Sequence, residues 1–135
     1  MKKLTVFCLK KRAGIFRLDN PDPKAVRQLA CLYLVVATIS RVHRMPVNAI
    51  MDRRRGRKKV SEARQLSQYI CHISFQQSYA DIGKSFKRDR TSVAHACQQV
   101  ENMRDSGHFD LATDCLEWGV LSLARSLGMV QEEDL

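Results

Sequence analysis

The run Arg88-Asp89-Arg90-Thr91-Ser92, followed by His95, gathers two guanidinium groups, a capping carboxylate, two hydroxyls and an imidazole within eight residues. A guanidinium can donate two parallel hydrogen bonds to the O6 and N7 of guanine, and a threonine methyl can pack on the methyl of thymine. Ser and His on the first two turns of a helix suit phosphate oxygens, helped by the partial positive charge of the helix N-terminus. The competing reading is an ordinary helical hairpin whose polar caps face water. A second group, Arg53-Arg54-Arg55-Gly56-Arg57-Lys58-Lys59, places six cations in seven residues around a glycine. By itself such a run is a solvated loop. Next to a groove-reading helix it becomes an arm able to enter a narrow A·T minor groove, where arginine is favoured.

Cys71-His72 and His95-x-Cys97 could be drawn as a metal or thiol–imidazole site. Zinc sites normally use paired ligands at short, regular spacing, and these two pairs fall on separate helices. The five cysteines, Cys8, Cys31, Cys71, Cys97 and Cys115, are scattered and contain no C-x-x-C pair. They read as small buried side chains of a reducing compartment. The expectation is no metal, no cofactor and no enzymatic activity.

The elements that must position these residues are all helical. Leu4 to Leu9 could pair as a short strand, and Asn20-Pro21-Asp22-Pro23 then interrupts regular structure, so residues 1–23 are expected to form a flexible arm. After Pro23, Val26, Leu29, Ala30, Leu32, Val36 and Ile39 give an apolar face broad enough for a central helix. Met45-Pro46 stops it and starts a short helix with Val47, Ile50 and Met51 facing inwards. Ser61 is the expected cap of the next helix, which buries Ala63, Leu66, Ile70 and Ile73. Ser78 caps Tyr79 to Phe86, and a tight turn at Lys87-Arg88 follows. Asp89 caps a helix with Val93, Cys97, Val100 and Met103 on one stripe. A last helix is expected from an Asp110 cap to Leu127, stopped by Gly128. Leu116, Val120, Leu123 and Leu127 form one of its faces and Leu111, Cys115 and Trp118 the other. Residues 24–105 thus read as one domain and 106–135 as a helix packed on it.

Charge is distributed unevenly along the chain. Residues 1–60 hold 16 Lys/Arg against 3 Asp/Glu, and residues 106–135 hold 1 against 6. Such asymmetry favours a polyanion on one face. The longest apolar stretch, Leu29 to Ile39, is shorter than a bilayer requires, and Lys10, Lys11 and Arg12 break up any leader core. A cytoplasmic, nucleoid-associated protein with no membrane partner is expected.

Two short helices joined by a few residues, the second opening on a polar capping turn, describe a helix-turn-helix. Val35 to Asp105 moreover resembles the C-terminal DNA-binding domain of the bacterial replication initiator DnaA. The matching features are Val47 to Met51, the Arg53-Arg54-Arg55 loop, Ala63-Arg64-Gln65, Ser78-x-x-x-Ile82-Gly83-x-x-Phe86 and Arg88-Asp89-Arg90-Thr91-Ser92-Val93-Ala94-His95-Ala96. The last run is the most specific. Phe109-Asp110 and Leu116-Glu117 are similar to small stand-alone relatives of that domain.

The resemblance implies an all-α bundle of about five to six helices. It also implies that Arg55 enters the minor groove, with Arg53, Arg54 and Arg57 near phosphates. Arg64 and Gln65 would meet the backbone, and Tyr79 and Ala80 would lie against the groove. Asp89, Arg90 and Thr91 would read bases, and Arg88, Ser92 and His95 would hold phosphates; Lys87, in the turn beside them, is expected among the DNA-binding residues. Three positions depart from the family pattern. Lys87 stands where Gly-Gly is usual, Arg90 replaces a base-reading His, and His72 replaces a phosphate-binding Lys. No G-x-x-x-x-G-K-[ST] phosphate loop occurs in the 135 residues, so ATP-driven work on an origin is not expected of them.

The function expected first is a sequence-specific regulator of transcription that binds double-stranded DNA and contacts RNA polymerase or another regulatory protein through the C-terminal helix. The alternatives are a replication modulator competing with the initiator for its boxes, and a DNA-targeting subunit of a phage or mobile-element machine.

Overall fold

The protein is described by a computed structural model covering residues 22–54 and 56–130. The expected strand at Leu4–Leu9, the arm, Cys8 and Arg55 lie outside these residues. Six helices follow one another: α1 (Pro23–Val42), α2 (Val47–Met51), α3 (Lys58–Phe75), α4 (Tyr79–Phe86), α5 (Arg90–Arg104) and α6 (Gly107–Ser126). Among the described residues there is no strand.

The central helix is α3, not α1 as its broad apolar face suggested. α3 touches all five other helices, and burial therefore reaches around it, taking in Arg64, Ser67, Gln68 and Ser74 as well as Ala63, Leu66 and Ile70. The Ser67 hydroxyl is satisfied locally, its Oγ donating to the Ala63 carbonyl at 2.8 Å. The core joins Val35, Val36 and Ile39 of α1 to Ile50, Ile70, Ile82, Phe86, Val93, Val100 and Val120. α1 is long and apolar enough by composition to cross a membrane, yet Val35, Val36 and Ile39 are fully buried in this core. Packing inside the bundle accounts for that composition.

Helix boundaries depart from the expected caps at two places. α3 starts at Lys58 rather than after Ser61, because the Arg57 carbonyl already accepts from Val60 and Ser61 N–H at 2.9 and 3.0 Å. Lys58 and Lys59 thereby leave the basic loop and join the helix. α6 starts at Gly107 rather than after Asp110, since the Ser106 carbonyl accepts the Asp110 N–H at 3.0 Å. Gly128 does close the helix in a left-handed turn, at φ 66°.

Four apolar residues placed on helix faces by their spacing are exposed instead. Ile73 on α3 and Met103 at the end of α5 are exposed, because no neighbouring helix covers either. Leu123 and Leu127 of α6 are exposed too. The helix docks instead through Thr113, Val120 and Ala124, flanked by Phe109 and Leu116. Leu111, Cys115 and Trp118 face away from the bundle, with Trp118 70% exposed.

Candidate nucleic-acid interface

The turn between α4 and α5 takes its shape from one glycine and one lysine. Arg88 N–H donates to the Gly83 carbonyl at 2.8 Å and Lys87 N–H to the Lys84 carbonyl at 3.4 Å. This is the paired closure of a helix whose last residue swings into the left-handed region. Lys87 occupies that region, at φ 54°, where glycine would be free of strain. Gly83 has no substitute, because a Cβ there would sit 2.5 Å from the Arg88 carbonyl oxygen. With Ile82, Phe86 and Val93 buried beneath it, this closure sets α4 against α5.

Asp89 then opens α5. Its Oδ1 accepts the Ser92 N–H at 2.8 Å, and its Oδ2 accepts the Ser92 hydroxyl at 3.2 Å. The Ser92 N–H bond holds the Asp89 carboxyl below its ordinary pKa. Asp89 is thus committed to the cap first, and its two oxygens hold Ser92. Arg90, Thr91, Ser92 and His95 are all exposed, while Val93, Ala96, Cys97 and Val100 turn into the core. Sequence reasoning stopped at His95. Thr91, His95, Gln98 and Asn102 continue one exposed stripe at helical spacing, with Gln98 Nε2 donating to Asn102 Oδ1 at 3.2 Å. The i, i+4, i+7 and i+11 pattern of polar side chains was the signal that could have found the last two.

The structure places the basic segment beside this turn. Arg53, Arg54 and Arg57 are exposed. Asp52 Oδ1 accepts the Arg54 N–H at 2.9 Å, and this bond lowers the Asp52 pKa. The Arg88 Nη2 donates to the Arg53 carbonyl at 3.2 Å, tying the segment to the turn. Arg88 Nε is buried without a hydrogen-bond partner among the described residues.

Arg64 has a different first task from the expected backbone contact. It is only 4% exposed, and its Nε and Nη2 donate to the Ile50 and Ala49 carbonyls at 2.8 and 3.2 Å. Burial lowers its pKa, and the neighbouring Arg88 cation adds to that. Arg64 therefore holds the end of α2 from which the basic segment departs. Gln65 is half-buried. Ala80 is exposed, whereas Tyr79 is half-buried on the core and stacks against His72 with ring centroids 4.3 Å apart. His72 Nδ1 lies 2.9 Å from the Gln77 carbonyl.

The thiol–imidazole pairs do not assemble. Cys71 is fully buried and its thiol is pushed well up by burial, and burial also pushes Cys97 up to about 11. Such thiols are protonated near neutral pH and make poor nucleophiles. His95 is exposed, away from the buried Cys97. Among the described residues no three His, Cys, Asp or Glu side chains gather into a metal-binding group.

Away from this surface, Arg104 closes the far end of α5. Its guanidinium donates to Asp110, Asp114, Glu117 and the Tyr69 hydroxyl, and Tyr69 in turn donates to Glu101 at 2.8 Å. Burial, followed by the Glu101 bond, pushes the Tyr69 phenol up to about 12. The clamp joins α3, α5 and α6 and fixes α5 from behind.

Comparison with known proteins agrees with this geometry. The chain is similar to a solved structure described as the crystal structure of a DNA replication initiation factor, at 27% identity and a TM-score of 0.67. The likeness covers 90% of this chain and 36% of that one, so the chain spans about a third of that protein's length. Residues 32–100, just over half of the chain, match the family model described as the bacterial dnaA protein helix-turn-helix. These residues take in the α2 anchor, the basic segment, the Gly83 closure and the Asp89-capped helix, and by that match the chain belongs to the bacterial dnaA protein helix-turn-helix family.

Proposed function

We propose that this protein binds double-stranded DNA in a sequence-specific way and regulates transcription from the sites it occupies. The observation that carries the reading is the continuous polar surface from Arg88 to His95. It is mounted on a buried apolar stripe and stands beside the exposed cations Arg53, Arg54 and Arg57. The first turn of α5 enters the major groove, where Arg90 reads guanine as a fork and Thr91 favours a neighbouring thymine. Arg53, Arg54 and Arg57, with Lys87 and His95, meet phosphates, while Arg55 takes the adjacent A·T-rich minor groove. Contact with RNA polymerase or another regulatory protein falls to the uncovered apolar face of α6.

A second reading, a replication modulator competing for initiator boxes, is favoured by the family match and the likeness to a replication initiation factor. Arg90 counts against faithful competition, because an arginine in place of the family's histidine alters the preferred base. Mapping bound sites across the genome separates the two readings: promoters support regulation, and an origin supports modulation.

Binding itself is tested by salt. With about six phosphates neutralised, log affinity should fall against log salt at a slope near −5. Arg53→Ala combined with Arg54→Ala should flatten that slope by about two. An unchanged slope would reduce the segment to a solvated loop.

A further inference from the structure

We infer that Arg88 is a positioning residue: it fastens the basic segment to the helix-turn-helix and so sets the spacing between the two groove contacts. The inference rests on the DNA-binding reading above and adds a role for Arg88 that phosphate contact does not require.

Three features support it. First, the Arg88 backbone is immobilised at both its polar groups. Its N–H is spent on the Gly83 carbonyl, and its own carbonyl packs so closely on Gly83 that no Cβ fits between them. A side chain rising from such an anchor is a strut rather than a tether. Second, the strut ends on main chain. Nη2 donates to the Arg53 carbonyl, so it locates the backbone of the segment whatever the side chain at that position. Third, among the described residues no other hydrogen bond joins residues 52–57 to the α4–α5 turn. The segment's entry is fixed separately, by Arg64 on the last carbonyls of α2. Released from Arg88, the segment would keep its root and lose its register against α5.

A guanidinium suits the task because its donors leave a rigid plane in several directions at once. Nη2 serves the segment while Nε, buried with no partner among the described residues, still requires an acceptor. The half-buried side chain has further guanidinium N–H donors that a phosphate oxygen brought up to the turn can take. The same side chain can thereby hold the segment and meet the backbone of the DNA.

The test compares the full chain with Arg88→Met, which keeps the aliphatic stem and removes the donors, and with Arg88→Gln, which is polar but too short to span the gap. In DNA-free protein, backbone order parameters at residues 53, 54, 56 and 57 should drop from the rigid range, about 0.85, towards the flexible range, below about 0.6. On DNA, moving the A·T-rich flank by one base pair relative to the guanine-containing core should weaken wild-type binding about ten-fold. The same shift should weaken either variant by less than about two-fold, although both bind more weakly overall. Loss of a phosphate contact alone would lower affinity equally at both spacings. A variant that keeps the wild-type loop order, or the wild-type spacing penalty, overturns the inference. A wild-type protein indifferent to the flank removes the minor-groove arm of the proposed function instead, and the loop order then decides the role of Arg88 alone.

Discussion

Arginines at the two ends of α5 do opposite things. Arg104, at the C-terminal end, is 19% exposed and donates to three carboxylates of α6 and to a tyrosine of α3. Arg90, at the N-terminal end, is exposed and has no carboxylate partner among the described residues. A guanidinium enclosed by acceptors has its donors satisfied and contributes to the fold. One left in water beside other cations raises the local potential and repels its neighbours, a cost that a polyanion relieves on binding. The contrast separates the arginines that build this domain from those that face a ligand, and Arg64 belongs with the builders despite its place beside the basic segment.

The contrast can be broken first at Arg104. Arg104→Met should destabilise the fold by about 2–3 kcal/mol, since charged hydrogen bonds are lost and three carboxylates are left crowded together. Urea unfolding measures it, and a loss below 0.5 kcal/mol would reduce the clamp to surface decoration. The counterpart is Arg90→Ala. It should leave stability within about 0.5 kcal/mol while weakening specific DNA binding about ten-fold or more and sparing non-specific binding. If a randomised-site selection returned the same motif for Arg90→Ala as for wild type, Arg90 would be a phosphate contact.

Smaller effects sharpen the comparison at the turn. Lys87→Gly should stabilise the protein by about 0.5–1 kcal/mol, because glycine adopts the left-handed conformation at φ 54° without strain. A destabilised variant would show that the lysine side chain supports the turn.

Acid should act through the Asp89 cap. Its folded-state pKa lies below the unfolded value, so its stabilisation is present above about pH 4 and is lost as pH falls through the folded pKa. Asp89→Asn, which caps without a charge, should unfold with a weaker dependence on pH below 4. Identical acid transitions in the two proteins would remove Asp89 from the balance.

Most of the architecture was legible because it is written in local rules. The periodic apolar residues of α1, α4 and α5, the Ser78 and Asp89 caps and the Gly128 stop each depend on neighbours within a few positions. The order Arg88 to Ala96 was legible for the same reason, since the turn that presents it is made by the chain on either side. The caps at Ser61 and Asp110 misled because a serine or aspartate fits a helix interior as well as its cap. Which it occupies depends on the carbonyls available upstream and, for Asp110, on Arg104 drawing its carboxylate away.

What the amino-acid order determined alone was therefore the set of helices, the turn between α4 and α5, and the polar residues at the head of α5. The tertiary structure decided which arginine serves which purpose. Arg64 and Arg88 look like their basic neighbours in sequence. Their roles arise from carbonyls that packing brings to them, at Ala49 and Ile50 for one and at Arg53, 35 residues away, for the other. A buried guanidinium takes its role from the acceptors within reach of its donors, and that reach exists only once the helices have packed.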